Sequence, residues 1–321
     1  MKKETSLFLK GIAMISVIFS HYGQYFLGDS PLNQLGAIGC AIFFFVSGYG
    51  LSFKTNGNGS YYMKKIISLY STFILANSFF IIIELINGID YSFVKLILSI
   101  IGYNHVFVCD WFIFVLIYFY LALMLCKIMK VKNYSIICLF VGIAYTLYTM
   151  HFNCLSWILF PVGLIYSRFK YKENRLFAYV SLAFFLLAFV QQSLNNGLCD
   201  NTWRKITFIL EMCSISTLCY YFGKETVFLT PKEVNNWGRY LSSLAKVIYG
   251  YTKKIGKNSL YFYLMQGLYF MIFTKLIILP ALLNIFLLFP ICSLLAIVFK
   301  KVDIRFHNIL DRFILKNISS L

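Results

Sequence analysis

Long apolar runs separated by short polar breaks cover almost the whole chain. A helix needs about 20 apolar residues to cross the hydrocarbon core of a bilayer. Ten such runs can be laid along the sequence, at 6–26, 36–53, 66–87, 108–127, 134–151, 154–168, 176–194, 205–222, 258–276 and 278–299. The pattern predicts an all-α fold, a polytopic membrane helix bundle of about ten transmembrane helices forming one integral membrane domain over 1–321. The stretch from Phe93 to Tyr103 is apolar but too short to span, and reads as a re-entrant or interfacial piece. The run 154–168 is also short, and Pro161 is a candidate kink within it.

Two amphipathic segments stand apart from the spans. In the polar stretch 223–257, Leu241, Leu244, Ile248, Tyr251 and Ile255 fall on one helical face, with Lys246, Lys253 and Lys254 elsewhere. This predicts a helix over about 238–256 lying in the cytoplasmic interface. A cytoplasmic tail, 300–321, repeats the pattern with Phe306, Ile309, Leu310 and Phe313 against Arg305, Arg312 and Lys316. Anchorage to anionic lipid is the plain reading of both.

Composition agrees with the pattern. Of 321 residues 60% are hydrophobic and 13% charged, against about 45–50% and about 25% in soluble domains. A soluble enzyme, a disordered tail and a nucleic-acid-binding domain are thereby excluded. The net charge of +17 becomes a statement of orientation once the spans are laid out. With a cytoplasmic N-terminus, only Lys95, Arg204, Lys205 and Lys275 of the 29 basic residues face outward. Such an asymmetry favours an even span count with both termini in the cytoplasm. Nucleic acid is not needed as a partner. The N-terminus is read as a first span and not a cleaved leader, because Lys10 interrupts the run, no A-x-A site follows, and a second span comes directly after. Cys109, Cys154 and Cys199 lie near the outer face, where two of them could pair. The other cysteines act as small apolar residues. No CxxC, no His pair at metal spacing and no P-loop is present, so no metal site is expected.

An ionisable group within a span costs several kcal/mol and is a functional candidate by default. Of the four histidines, His105 and His151 fall in outer loops, His307 in the tail, and His21 within the first span. Glu211 lies near the middle of the eighth span, Glu84 near the outer end of the third, and Asp110 beside Trp111 at the outer end of the fourth. Lys10 and His21 are eleven positions apart, about 16 Å along a helix and close to three full turns, so both project from nearly one face. Alone, Lys10 reads as an interfacial anchor, and His21 as a packing hydrogen bond worth about 1 kcal/mol. Together they describe a charged cytoplasmic mouth leading to a buried base. Imidazole, with a reference pKa of about 6.5, is neutral and basic near pH 7. It suits acyl transfer as a general base toward a hydroxyl, or as a covalent acyl carrier. No G-x-S-x-G elbow competes for that role, and Ser47-Gly48-Tyr49-Gly50 reads as small residues that permit close helix packing.

These residues carry a resemblance. Leu9-Lys10-Gly11-Ile12-Ala13 through Phe19-Ser20-His21, followed by Phe43-Phe44-Phe45-Val46-Ser47-Gly48-Tyr49, resembles the bacterial acyltransferase-3 family of integral membrane acyltransferases. Asp110-Trp111-Phe112-Ile113 leading to Tyr118-Phe119-Tyr120-Leu121, and Ile255-Gly256-Lys257-Asn258-Ser259-Leu260-Tyr261-Phe262-Tyr263-Leu264, extend it over essentially the whole chain. The resemblance implies transfer of a short acyl group, most often acetyl, from cytoplasmic acyl-coenzyme A to a hydroxyl of an envelope polysaccharide or lipid-linked sugar. It implies His21 as the catalytic histidine, Lys10 as its basic partner, and Lys64 and Lys65 as a cluster that meets the coenzyme. Beyond the resemblance, Ser47, Tyr49, Asp110, Trp111, Asn258 and Ser259 are candidate cavity positions, with Trp111 equally readable as an interfacial anchor, and Glu211 either assists His21 or pairs with a lysine. No tightly bound cofactor is implied; acyl-coenzyme A is the donor substrate. The expected location is the bacterial plasma membrane, multi-pass, with homo-oligomerisation left open.

The chain departs from the family pattern in places. Lys10 stands where arginine is commoner, giving a point charge instead of a bidentate fork. An arginine pair after the second span is absent, with Lys64 and Lys65 a loose substitute. Gln266 occupies a place where histidine is frequent, and no acetylesterase-like domain is expected to be fused. The competing reading is a transporter or flippase for a lipid-linked sugar or small solute, with His21 and Glu211 as a proton relay. The lack of an internal repeat, and the concentration of polar motifs in the first two spans, favour the enzyme.

Overall fold

In hydrocarbon no water satisfies an open backbone, and a helix closes its own hydrogen bonds. The apolar runs fold accordingly. The computed structural model describes residues 1–28, 30–53, 59–103, 111–149, 152–168, 175–194, 202–224, 236–277 and 279–318, and no strand occurs among them. The helices are α1 Lys3–Tyr22, α2 Leu35–Ser52, α3 Gly59–Ile86, α4 Phe93–Ile100, α5 Trp111–Ile128, α6 Tyr134–Thr149, α7 Leu159–Tyr166, α8 Arg175–Leu194, α9 Thr202–Lys224, α10 Asn236–Lys257, α11 Ser259–Lys275 and α12 Ala281–Ile318.

Five helical stretches among the described residues are long and apolar enough to cross a membrane: Lys3–Leu27, Pro31–Ser52, Gly59–Ile86, Trp111–Ile128 and Ala281–Ile309. The other predicted spans are helical but shorter or more polar. The run 154–168 is the clearest case. It divides into a 3₁₀ piece, Phe152–Ile158, and the eight-residue α7. Trp157 holds that break: it is buried against Gly142 of α6 and donates from Nε1 to Thr146 Oγ1 at 2.9 Å. Pro161 therefore sits in the first turn of α7, where its missing N–H costs little, and does not kink a longer helix.

The chain divides into two compact units, Met1–Gly57 with Leu125–Ser259, and Asn58–Met124 with Leu260–Leu321. In the first, glycines let helices meet at backbone distance. A Cβ on Gly48 of α2 would fall on the Phe160 carbonyl of α7, and one on Gly163 of α7 on the Phe45 carbonyl of α2. Gly11 of α1 abuts the Thr252 carbonyl of α10 in the same way, and Gly256 of α10 abuts the Leu7 carbonyl. The amphipathic segment predicted at 238–256 is α10, and its face is split. Thr252, Ile255 and Gly256 are buried toward α1, whereas Val247, Ile248 and Tyr251 are exposed beside Lys246 and Lys254. Leu241 and Leu244 have side chains outside those described.

In the second unit, α4 docks on α3 through its carbonyl end. Asn77 Nδ2 donates to the Ser99 and Ile100 carbonyls, and Tyr70 Oη to that of Ile101. Phe93 and Val94 at its other end are exposed, consistent with the short interfacial piece the sequence predicts. α12 runs unbroken from Ala281 to Ile318, so the segment read as a separate amphipathic tail continues the last helix.

Candidate functional site

Helix α1 carries both Lys10 and His21, and its local sequence explains how the histidine is placed. α1 ends at Tyr22 and continues as a five-residue π-helical turn, Gly23–Leu27. Such turns are rare and recur at functional sites. The chain then reverses at Gly28, whose φ of +69° suits glycine, and enters a 3₁₀ turn, Pro31–Gln34, capped by Ser30 Oγ accepting from the Leu32 N–H at 3.3 Å. Ser20 Oγ donates to the Asn33 carbonyl at 2.7 Å, which staples the turn to the end of α1. His21, next in sequence to that staple, is 8% exposed. His21 is thus buried on a helix end whose position is fixed from two directions.

Lys10 is half-buried, one residue before the Gly11–Thr252 crossing with α10. That crossing adds positive charge that sequence reasoning did not assign to the site. Lys253 and Lys254 follow Thr252, with Lys253 ion-paired to Glu4 and lying 5.1 Å from the Tyr249 ring centroid. The clue was available: the predicted interfacial helix carried these lysines, but its docking partner was not legible.

On α2, Tyr49 is buried, and its hydroxyl accepts from the Met1 amino group at 3.0 Å. Its ring packs with those of Phe45 and Phe53 and, from α9, Tyr220. Ser47 is half-buried on the same helix. Glu211 of α9 is 2% exposed, and its Oε1 has no hydrogen-bond partner among the described residues. Between α7 and α9 lies a cavity of about 360 Å³ walled by Leu159, Val162, Phe208 and Met212, with Tyr166 and Thr217 also lining it and Glu211 not among its walls. These walls suit an apolar chain better than a sugar. Asn258 closes α10, donating from Nδ2 to the Lys254 carbonyl, and half-buried Ser259 opens α11.

The expected site residues do not all fall in one unit. Lys10, His21, Ser47, Tyr49, Glu211, Asn258 and Ser259 belong to the first. Lys64, Lys65 and Trp111 belong to the second, with both lysines exposed on α3 and Lys65 Nζ 5.4 Å from the Tyr61 ring centroid. Trp111 begins α5 edge-on to Phe112. Gln266, on α11, is fully buried, and neither atom of its amide bonds to a described residue. Asp110, Cys109, Cys199, His105 and His151 lie outside the described residues, as does the side chain of Cys154.

Compared with known proteins, residues 8–300 match a family model described as an acyltransferase domain, Acyl_transf_3. No curated protein and no solved structure matches the chain.

Proposed function

The chain belongs to the acyltransferase-3 family, and from that premise we propose that it moves an acetyl or other short acyl group from cytoplasmic acyl-coenzyme A to a hydroxyl of an envelope polysaccharide or lipid-linked sugar. It is a membrane acyltransferase. The observation that carries the finer reading is His21, buried at the junction of α1 with its π turn, on the same helix as Lys10 and within the matched residues. In this reading His21 removes the proton of the acceptor hydroxyl as the thioester carbonyl is attacked, or carries the acyl group itself. Glu211, buried on α9, assists the proton transfer. Ten spans with both termini in the cytoplasm of a bacterial cell fit this chemistry, because they place Lys10 on the coenzyme's side. A helical segment overlaps each of the ten apolar runs, which supports that count. The family membership also speaks for an enzyme over a transporter in which His21 and Glu211 pass protons.

Mass spectrometry of envelope glycans from cells with and without this protein tests the reaction. The expected result is a loss of one acyl mass per modified sugar when the protein is absent; identical spectra reject a glycan acceptor.

Lys10 makes a separate prediction. Coenzyme A is rich in phosphate, and a hydrogen bond from a lysine to phosphate is worth about 1.5–3 kcal/mol. Lys10→Ala should therefore weaken acyl-coenzyme A binding by roughly 10- to 100-fold, and less so at high salt. Titration calorimetry on the purified protein reads this directly, and an unchanged Kd returns Lys10 to a lipid-anchoring role.

A further inference from the structure

The second unit holds a cluster of reactive side chains that the His21 chemistry does not use. Ser71 Oγ of α3 lies 2.8 Å from His307 Nε2 of α12. His307 Nδ1 lies 3.2 Å from Asp303 Oδ1 and 3.0 Å from the Asp303 carbonyl oxygen, one turn earlier on the same helix. Both neighbours of Nδ1 are acceptors, so Nδ1 carries a hydrogen, and in the neutral tautomer Nε2 accepts from the Ser71 hydroxyl, which also lies 3.2 Å from the Ser68 carbonyl oxygen. The carboxylate is itself held, accepting from Thr72 Oγ1 at 2.9 Å and from Tyr261 Oη at 3.0 Å. This is the order hydroxyl, imidazole, carboxylate that activates a serine nucleophile.

We propose that Ser71, His307 and Asp303 form a second acyl-handling centre, in which Ser71 takes an acyl group from a thioester donor. The proposal rests on the acyl-coenzyme A reading given above. Burial is graded as such a centre requires: the Asp303 side chain is 5% exposed, that of His307 22%, and Ser71 is half-buried. A cluster built only to join helices has no need of the outer part of this arrangement. Thr72 and Tyr261 already tie α3 and α11 to Asp303 of α12, and the bond from Ser71 to Nε2 adds a base aimed at a hydroxyl. Lys64 lies seven residues before Ser71 on α3, about 10 Å away and near the same helical face, where it can meet a donor's phosphates. Asp303 and His307 follow the last residue matched by the family model, so the family match does not supply this centre.

The step balances. Ser71 Oγ bonds to the thioester carbonyl carbon as its proton passes to His307 Nε2. The carbon–sulfur bond breaks, and that proton leaves on the sulfur as the free thiol of coenzyme A. An acyl ester remains on Ser71, and an acceptor hydroxyl or water discharges it by the same proton path.

The test uses the full chain purified in detergent and exposed separately to labelled acetyl-coenzyme A and to a fluorophosphonate, with the site of modification read by peptide mass spectrometry. The expected result is an acetyl group, and in the parallel sample a phosphonyl group, on Ser71. Each should be lost in Ser71→Ala and formed roughly 10²–10⁴-fold more slowly in His307→Gln. Ser71→Cys reads the base without depending on the alanine variant folding: iodoacetamide should alkylate it faster with His307 present than with His307→Gln added. Phosphonylation of Ser71 without acetylation, in a chain that also leaves envelope glycan unacylated, overturns the acyl-coenzyme A reading and keeps the activated serine. No modification of Ser71 by either reagent, in a chain that still acylates its glycan, overturns the proposal and leaves the His21 reading standing.

Discussion

Replacing His21 by alanine is expected to abolish acyl transfer while the chain still inserts at normal levels. General base catalysis contributes about 10²–10⁴-fold to a rate, and a covalent carrier contributes the whole of it, so the loss is at least a hundredfold in either case. The fold should tolerate the change better than a core truncation. The end of α1 is held by the Ser20–Asn33 staple and by Ala13 and Val17 packed against Gly39 of α2, none of which needs the imidazole. Acyl content of the envelope glycan, normalised to protein in the membrane fraction, is the measurement. Wild-type acyl content in the variant assigns His21 to helix packing. Adding imidazole to the alanine variant separates the two chemical roles: a diffusible base restores part of the rate if His21 only removes a proton. A rate that stays at background, with acyl-imidazole trapped on the wild-type protein, identifies a carrier.

The first unit's site was more legible in the sequence than the second's, and the reason is physical. Lys10 and His21 are eleven residues apart on one helix, so helical periodicity alone puts them on one side. Gly48, in the run Ser47-Gly48-Tyr49-Gly50, announces close packing by its size. Hydropathy, however, reports only the cost of moving a segment into lipid; it does not say where a long run breaks. The break at Phe152–Ile158 follows from Trp157 finding Thr146 on α6, a contact that periodicity does not encode. The π turn after Tyr22 likewise depends on the return of residues 31–34 to Ser20.

Residues joined across the chain were the least visible. Asp303 and His307 form an i,i+4 pair that sequence spacing displays, yet Ser71 is 236 residues from His307, and only the packing of α3 with α12 brings it in. His307 was assigned to a tail because the apolar run ends near residue 299, while the helix itself continues to Ile318. Lys64 and Lys65, grouped with Lys10 by charge and family pattern, belong to the second unit. Lys253 and Lys254, which follow the α10 crossing at Thr252, belong to the same unit as Lys10.

The contact between α2 and α7 carries the second large effect. Gly48→Leu should destabilise the protein severely, because the new Cβ meets the Phe160 backbone, which no rotamer change can move aside. Overpacking against side chains typically costs about 1–3 kcal/mol, and here α2 and α7 must separate along their length, so a loss at or above that upper figure is expected. At roughly 2–4 °C per kcal/mol for chains of about this size, the melting temperature in detergent falls by about 6 °C or more. Gly163→Leu, which meets the Phe45 carbonyl from the opposite side of the same crossing, should do the same. Gly50 supplies the control: it lies two residues along α2 from Gly48, and a Cβ there meets nothing within 4 Å. Gly50→Leu should therefore melt near the wild-type temperature, or above it, since leucine favours a helix over glycine by up to about 1 kcal/mol. Equal melting temperatures for the Gly48 and Gly50 variants contradict the close α2–α7 crossing. A fall confined to Gly48 and Gly163 locates it at the run where the sequence motif Ser47-Gly48-Tyr49 places a small residue between two half-buried or buried polar ones.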